Sequence, residues 1–350
     1  MTVRAGRRAR RGARALRPRF LVGALLVAVL VAGCGGEQRA GLVSIGAGLR
    51  GPDGWKARVY ATGLKHASAF AFDGKGRLWV TTSGVADHRS DGLYLVARAG
   101  ARPVKVAHLD GPLGLTWYRN RLYVASIGRV TAFGELHGTR FVSRRTILRG
   151  PVAGASNNAI VATANGRLLM SVSTTCDHCV PTSRWAAAIV SFRPDGSDLR
   201  MYASRIRAAY GLALVPGGVL ATMNQRDDLG ARTPGDWLAL VKQGQDWRFP
   251  SCYGQAGSAC AGVPKPVAVL AKHAAAGGLA LADGSAFVAE WQMGSVLRVA
   301  LTRTGGTYAG TAATFLLGMR SPLPVVGDPS GAILVGDWTT GVVYAVDQAA

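Results

Sequence analysis

Gly76-Arg77-Leu78-Trp79-Val80-Thr81 is the first of six copies of one short pattern: a glycine or asparagine, a spacer, then apolar residues ending on something small. It returns as Asn120-Arg121-Leu122-Tyr123-Val124-Ala125, Gly166-Arg167-Leu168-Leu169-Met170-Ser171 and Gly217-Gly218-Val219-Leu220-Ala221-Thr222. The last two copies are Gly284-Ser285-Ala286-Phe287-Val288-Ala289 and Gly331-Ala332-Ile333-Leu334-Val335-Gly336. Most follow an apolar strand (69–72, 114–117, 211–214, 278–281) and most precede a third one (92–96, 129–133, 187–192, 295–299, 342–346). A fourth β-rich segment, such as 104–106 or 141–148, can close the unit. Four strands at a period of about 45 residues mark a propeller blade, because one small sheet cannot bury both faces without neighbours. The expected fold is therefore all-β, a six-bladed β-propeller over residues 55–350. A pair of β-sandwiches is the alternative, and it does not account for so regular a repeat. The last unit lacks a fourth strand, whereas 56–61 is a strand with no unit before it. Those two segments are expected to pair and close the ring, leaving no open blade edge.

The N-terminus addresses the chain. A basic segment ends at Arg19, an apolar run covers 20–32, and Val31-Ala32-Gly33-Cys34 follows. Residues 1–33 read as a signal peptide. An apolar run of about 13 residues is short of the roughly 20 that span a bilayer. The Val-Ala-Gly-Cys ending resembles a bacterial lipobox, which implies cleavage before Cys34, a diacylglycerol on its sulfur, and a protein exported and anchored to the outer face of the cell membrane. Residues 34–54, Gly-rich and poor in apolar side chains, read as a flexible tether. The Gly46-Ala47-Gly48-Leu49-Arg50-Gly51 within it has the dinucleotide-binding spacing, but no strand is expected before it and Pro52 follows, so that reading is set aside.

The formal charge is +22, and eight arginines lie in the first 19 residues with no acid among them. The remaining basic residues are scattered, without a basic helix or an aromatic-interleaved run, which argues against nucleic acid as a partner. Besides Cys34 the chain has Cys176, Cys179, Cys252 and Cys260. An even number in an oxidising compartment indicates disulfides, and four cysteines allow three pairings. Pairs within each loop, Cys176 with Cys179 and Cys252 with Cys260, need the least rearrangement. A zinc site on all four sulfurs is the other outcome.

Unusual polar residues concentrate in 205–254, where Asp227 and Asp228 are adjacent. Neighbouring carboxylates repel and are usually held by a cation, an arginine or backbone N–H groups; a turn capped by its own backbone is the plain alternative. Asn157-Asn158, the Ser173 to Cys179 run, Pro194-Asp195-Gly196-Ser197, Arg207 with Tyr210-Gly211-Leu212, and Arg226-Asp227-Asp228-Leu229-Gly230 then fall in a known order. Pro250 with Cys252-Tyr253-Gly254, and His273 ahead of Gly278-Leu279, continue it. Over residues 57–346 the chain resembles the PQQ-dependent glucose/sorbosone dehydrogenases. That resemblance implies a six-bladed propeller and a sugar or alcohol oxidoreductase with pyrroloquinoline quinone and calcium at one end of the ring. It implies cofactor contacts at Asn157, Asn158, Arg207 and Arg226, and metal ligands at Asp227 and Asp228.

Some family positions are changed. Alanine at Ala155 fills the place of the histidine that takes the sugar hydroxyl proton, and alanine cannot accept a proton. Ala208 replaces an asparagine, while Gln292 and Leu323 stand where cationic partners are expected. Two readings follow. The protein is a divergent dehydrogenase whose base is His178 or His273, or it is a non-catalytic envelope propeller that binds a small sugar, glycan, peptide or protein partner.

Overall fold

Leu78–Thr82 is buried along its whole length. Its five counterparts in the other repeats are likewise buried, apart from the first residues of two of them. A strand with no solvent face must be covered on both sides, and in a ring of sheets each neighbour supplies one cover. The computed structural model describes residues 41–84, 89–150 and 157–349. The signal segment, Cys34 and Ala155 lie outside the described residues.

The strands run in order from β1 (Val43–Gly46), β2 (Leu49–Gly51) and β3 (Trp55–Ala61). The first blade is β4 (Ala67–Phe72), β5 (Leu78–Thr82), β6 (Gly92–Val96) and β7 (Val104–His108). The second is β8 (Gly114–Tyr118), β9 (Arg121–Ser126), β10 (Arg129–His137) and β11 (Arg140–Arg149). The third is β12 (Asn157–Ala162), β13 (Leu168–Val172), β14 (Ala188–Phe192) and β15 (Arg200–Ala203). The fourth is β16 (Leu212–Val215), β17 (Gly218–Met223), β18 (Gly235–Val241) and β19 (Ala268–Lys272). The fifth is β20 (Ala276–Ala282), β21 (Ser285–Glu290), β22 (Ser295–Thr304) and β23 (Thr307–Leu317). The sixth takes β24 (Pro322–Gly327), β25 (Ile333–Asp337) and β26 (Val343–Gln348) from the end of the chain and β3 from its beginning. Val343 faces Ala61 and Gln348 faces Trp55, so the ring closes as the repeat phase requires. No helix among the described residues is long and apolar enough to cross a membrane.

The core is divided. Six apolar clusters lie one at each interface between neighbouring blades. Each Leu, Val, Ile or Phe buried there contributes roughly 1.5 to 3 kcal/mol. Within the segment expected to be a tether, β1 and β2 form an antiparallel hairpin beside the fifth blade, with Arg50 facing Leu317 on β23. Ile45 and Leu49 are buried in the core between the fifth and sixth blades, which is what orders this segment. Ala47 and its two flanking glycines, all at positive φ, make the hairpin turn. A strand does precede the glycine-rich motif, but a second strand follows it, so no helix N-terminus is available for a dinucleotide.

Buried carboxylates fasten the blade ends. Asp91 accepts from the backbone N–H of Gly84 at 2.7 Å and of Gly111 at 3.1 Å. Asp236 accepts from Gln225 at 2.7 Å and Ala276 at 2.9 Å. Asp337 accepts from Arg320 at 2.8 Å and Thr339 at 3.0 Å. In each case the turn between the second and third strands is tied to an adjoining crossover at the same end of the ring. Unpaired buried N–H groups are costly, and a carboxylate that takes two at once satisfies both.

Candidate functional site

Ala67 faces Thr82 and Thr82 faces Gly92, so the segment entering each inner strand and the turn between its second and third strands share one end of the ring. At that end a mouth of about 370 Å³ is lined by Trp291, Trp338, Tyr210, Leu113, Ile127, Leu323, Asn224, Ser83, Gly84 and Ala275. No charged residue is among these described lining residues. Trp291 meets Trp338 edge to face at 5.8 Å, and the His66 ring stacks on Trp338 at 4.2 Å. The Trp338 indole N–H donates to Ser83 O at 2.9 Å, which fixes the ring at the rim. Below the mouth a narrower channel of about 290 Å³ passes between the inner strands, and Tyr210 and Leu113 border both spaces. Burial raises the Tyr210 phenol, whose hydroxyl meets Ser173.

The charged residues singled out in the sequence gather beside this mouth, in the loops of the third to fifth blades. Arg207 donates through Nε to Asp177 O at 3.1 Å and pairs with the Asp177 carboxylate; its Nη2 lies 3.5 Å from Asp227 Oδ2. Arg226 forks onto Asp228 with two contacts of 2.6 Å and lies over the Tyr253 ring at 4.7 Å. That fork holds the Asp228 carboxyl well below the usual carboxylate range and raises the guanidinium. Asp227 N donates to Asp177 at 3.2 Å, joining the loop of the third blade to that of the fourth. The adjacent aspartates thus take different partners. Asp227 Oδ1 lies 3.2 Å from His273 Nδ1, and Asp228 Oδ2 lies 3.2 Å from His178 Nδ1. Each histidine is oriented by a carboxylate at one nitrogen, the arrangement that leaves the other nitrogen for proton transfer. Both are exposed at the rim, and neither lines the mouth.

Asn158 is fully buried, donates its amide to Ser173 Oγ, and keeps an Oδ1 without a hydrogen-bond partner among the described residues. Asn157 begins β12 opposite Val172. The four cysteines form two disulfides, Cys176–Cys179 and Cys252–Cys260, with Cα separations of 5.8 and 4.8 Å, inside the range a disulfide spans.

Asp177, His178 and Asp228 bring ligand atoms within 4.8 Å of one another. This donor set fits calcium poorly, because calcium takes six to eight oxygen ligands and a histidine supplies none. Pyrroloquinoline quinone, a tricarboxylate, calls for free cations. Arg207 and Arg226 are already committed to this chain's own carboxylates, Leu323 presents a hydrocarbon face to the mouth, and Arg298 is held by Ser285 Oγ at 3.0 Å in the fifth blade. The described residues do not fit the quinone.

Sequence reasoning missed Trp291, Trp338, His66 and the buried Asp236. A signal for the tryptophans was present, since Glu290-Trp291 and Asp337-Trp338 each follow a repeat directly. Asp236 lies deep among Gln225, Ala276 and Asn224, and desolvation pushes its carboxyl up to about 6 against the hydrogen bonds that favour its charge.

No protein-family profile matches the sequence, and no curated protein does either. Solved structures do match in fold. The PQQ-bound form of aldose sugar dehydrogenase from Streptomyces coelicolor is 20% identical at a TM-score of 0.69, covering 85% of this chain and 100% of that one. The holo PQQ domain of pyranose dehydrogenase from Coprinopsis cinerea is 15% identical at 0.73, covering 85% and 97%. A calcium structure of a Trichoderma reesei enzyme of carbohydrate-active family AA12 is 15% identical at 0.73, covering 88% and 99%. The chain is similar in fold to these two sugar dehydrogenase structures and to the family AA12 enzyme, a six-bladed propeller whose sequence has diverged far from theirs.

Proposed function

We propose that this protein is an exported, lipid-anchored propeller whose mouth binds a neutral ligand with an apolar face, a sugar ring or glycan end, without quinone chemistry. The observation that carries this reading is an aromatic mouth whose described lining residues carry no charge, beside arginines already paired with aspartates. Tryptophan faces offer an apolar platform, and Ser83 and Asn224 offer polar groups at its edge, the usual composition of a small-molecule site. Ala155 removes proton transfer from its expected place, and a positioned base is worth on the order of 10²- to 10⁴-fold in rate.

The test uses the full chain purified in neutral detergent. Tryptophan fluorescence is followed over a panel of neutral sugars, and quinone absorbance and dye reduction are followed with added PQQ and calcium. Saturable sugar quenching lost in Trp338→Ala, with no quinone binding, is the expected result. Sugar-dependent turnover would restore the dehydrogenase reading. That second reading draws on the PQQ-bound structures of similar fold and on the carboxylate-oriented His178 and His273. Replacing each histidine in turn would identify the base.

A further inference from the structure

The two disulfides of the chain sit in different surroundings. Cys252 and Cys260 are buried in the core between the third and fourth blades, in one cluster with Trp237, Trp247 and Val263. Cys176 is half-buried and Cys179 exposed, in the loop that joins β13 to β14 at the mouth end. Val180, the residue after the exposed cysteine, is itself 74% exposed.

The first half of this loop is anchored on Arg207. Thr174 N donates to Arg207 O at 2.8 Å, Arg207 Nε donates to Asp177 O at 3.1 Å, and the guanidinium pairs with the Asp177 carboxylate. Those contacts bracket Cys176, and none of them passes through the S–S bond, so the loop keeps its seat when that bond opens. The Cys176 sulfur also has polar groups aimed at it: Cys179 N donates to Sγ at 2.9 Å, and Thr174 Oγ1 lies 3.8 Å from it. Donors directed at a sulfur favour its thiolate.

A disulfide exchanges when a thiolate attacks one sulfur and the other departs, and the step is fast where the attacked sulfur is accessible and the departing thiolate is stabilised. Here the two demands fall on opposite ends of one bond. Cys179 Sγ belongs to the exposed residue, and Cys176 Sγ is the sulfur whose charge the loop holds. Chain entropy points the same way, since a pair separated by 3 residues restricts the unfolded chain less than one separated by 8. Cys176–Cys179 therefore has the smaller structural role of the two.

We propose that Cys176–Cys179 is a redox-active disulfide that exchanges with the dithiol of a protein carrying a Cys-x-x-Cys pair. The first thiolate of that dithiol attacks Cys179 Sγ; the S–S bond breaks and its electron pair leaves on Cys176, which takes a proton from solvent. The second thiolate attacks the incoming sulfur of the mixed disulfide and expels Cys179, which is protonated in turn. The dithiol loses two electrons and two protons and becomes a disulfide, and the Cys176–Cys179 pair gains both. No other oxidant enters, and the same steps run backwards to restore the bond. Val180 beside the attacked sulfur offers an apolar contact to a protein surface, which is why the dithiol is assigned to a protein. The assignment is independent of what the mouth binds.

The experiment equilibrates the full chain in neutral detergent with reduced thioredoxin or with dithiothreitol, then alkylates the thiols and maps them by mass spectrometry. Cys176 and Cys179 should be alkylated together, at a dithiol-to-disulfide ratio ~100-fold or more below the one that opens Cys252–Cys260. Equal resistance of the two pairs would overturn the proposal. Thioredoxin with its second cysteine changed to serine should be captured on Cys179 and leave Cys176 free; capture on Cys176 would overturn the assignment of the attacked sulfur. Val180→Ser should slow thioredoxin about 3-fold or more, the size of one modest apolar contact, and leave dithiothreitol unchanged. The same rate for thioredoxin in that variant would overturn the assignment to a protein dithiol. Reduction of this pair alone should lower the thermal midpoint by no more than about 4 °C. Unfolding on reduction would show a structural clasp instead.

Discussion

The two ends of the ring treat charge in opposite ways. At the mouth end Arg207 and Arg226 are matched by Asp177, Asp227 and Asp228, and the described residues that line the mouth are largely aromatic or aliphatic and carry no charge. At the far end Arg119 lies over the Tyr118 ring at 5.1 Å and Arg121 lies against Gly134, and among the described residues neither makes an ion pair. The first arrangement is self-sufficient and needs no ligand to settle its charges. The second leaves its cations to solvent and to an aromatic face. The resemblance to quinoprotein dehydrogenases directs attention to the arginines of the first end, and their pairing shows why the residue type alone does not announce a cofactor contact.

The largest effect that tests this contrast concerns the fastening beneath the mouth. Asp236→Ala leaves two buried N–H groups without an acceptor and should cost about 2 to 4 kcal/mol in chemical denaturation. A loss under about 1 kcal/mol would mean that water replaces the carboxylate. The same group sets a pH signature. Its folded pKa of about 6 lies above the ordinary aspartate value, so the folded state holds a proton that the unfolded state has released. Stability should therefore fall as pH rises from about 4 to about 6 and level off above. Asp236→Asn should abolish that slope. Asp228 has the reverse sign, because the Arg226 fork depresses its pKa: its contribution is present above the ordinary aspartate range and is lost as pH falls through the folded value. Denaturation curves of Asp228→Asn should lose the acid-side decline and keep the one between 4 and 6.

Salt separates the ends next. Raising ionic strength shortens the Debye length to about 3 Å at 1 M, which screens repulsion among the unpaired cations of the far end more than it weakens the short contacts near the mouth. Added salt should raise the thermal midpoint slightly, and R119Q/R121Q should blunt that rise; an unchanged salt dependence in the variant would erase the distinction. The smallest effect is expected for Arg226→Lys. A lysine keeps the charge but cannot fork, and exposed pairs are worth little, so the midpoint should shift by about 1 °C or less. A larger shift would show that the stacking on Tyr253 is the main contribution.

Legibility followed burial. The second strand of each blade, Leu78–Thr82 and its equivalents, is covered on both sides and so reads as an uninterrupted apolar run after a turn glycine, which is why the six blades and their closure could be counted. The disulfides were legible because the cysteines of each pair sit within one loop. The hairpin at 43–51 was hidden, since β1 and β2 are too short for a period-2 pattern and only contact with the fifth blade orders them. The partners of Arg207 were hidden for another reason: Asp177 is 30 residues away and meets it only when two blades stand side by side. The mouth tryptophans come from different blades, and nothing in either segment alone says that their rings meet.

The joint between β3 and β26 also imposes a timetable. Arg58 and Asp347, paired across that joint, are separated by 289 residues. At synthesis rates of about 5 to 20 residues per second, roughly 15 to 60 s pass between the making of one partner and the other. Throughout that interval β3, the outer strand of the sixth blade, has no blade to join until β24, β25 and β26 follow. The ring therefore cannot be finished progressively from its N-terminus. A chain released before β26 is made would hold five complete blades and two unsatisfied strand edges, a substrate for proteases rather than a shortened propeller.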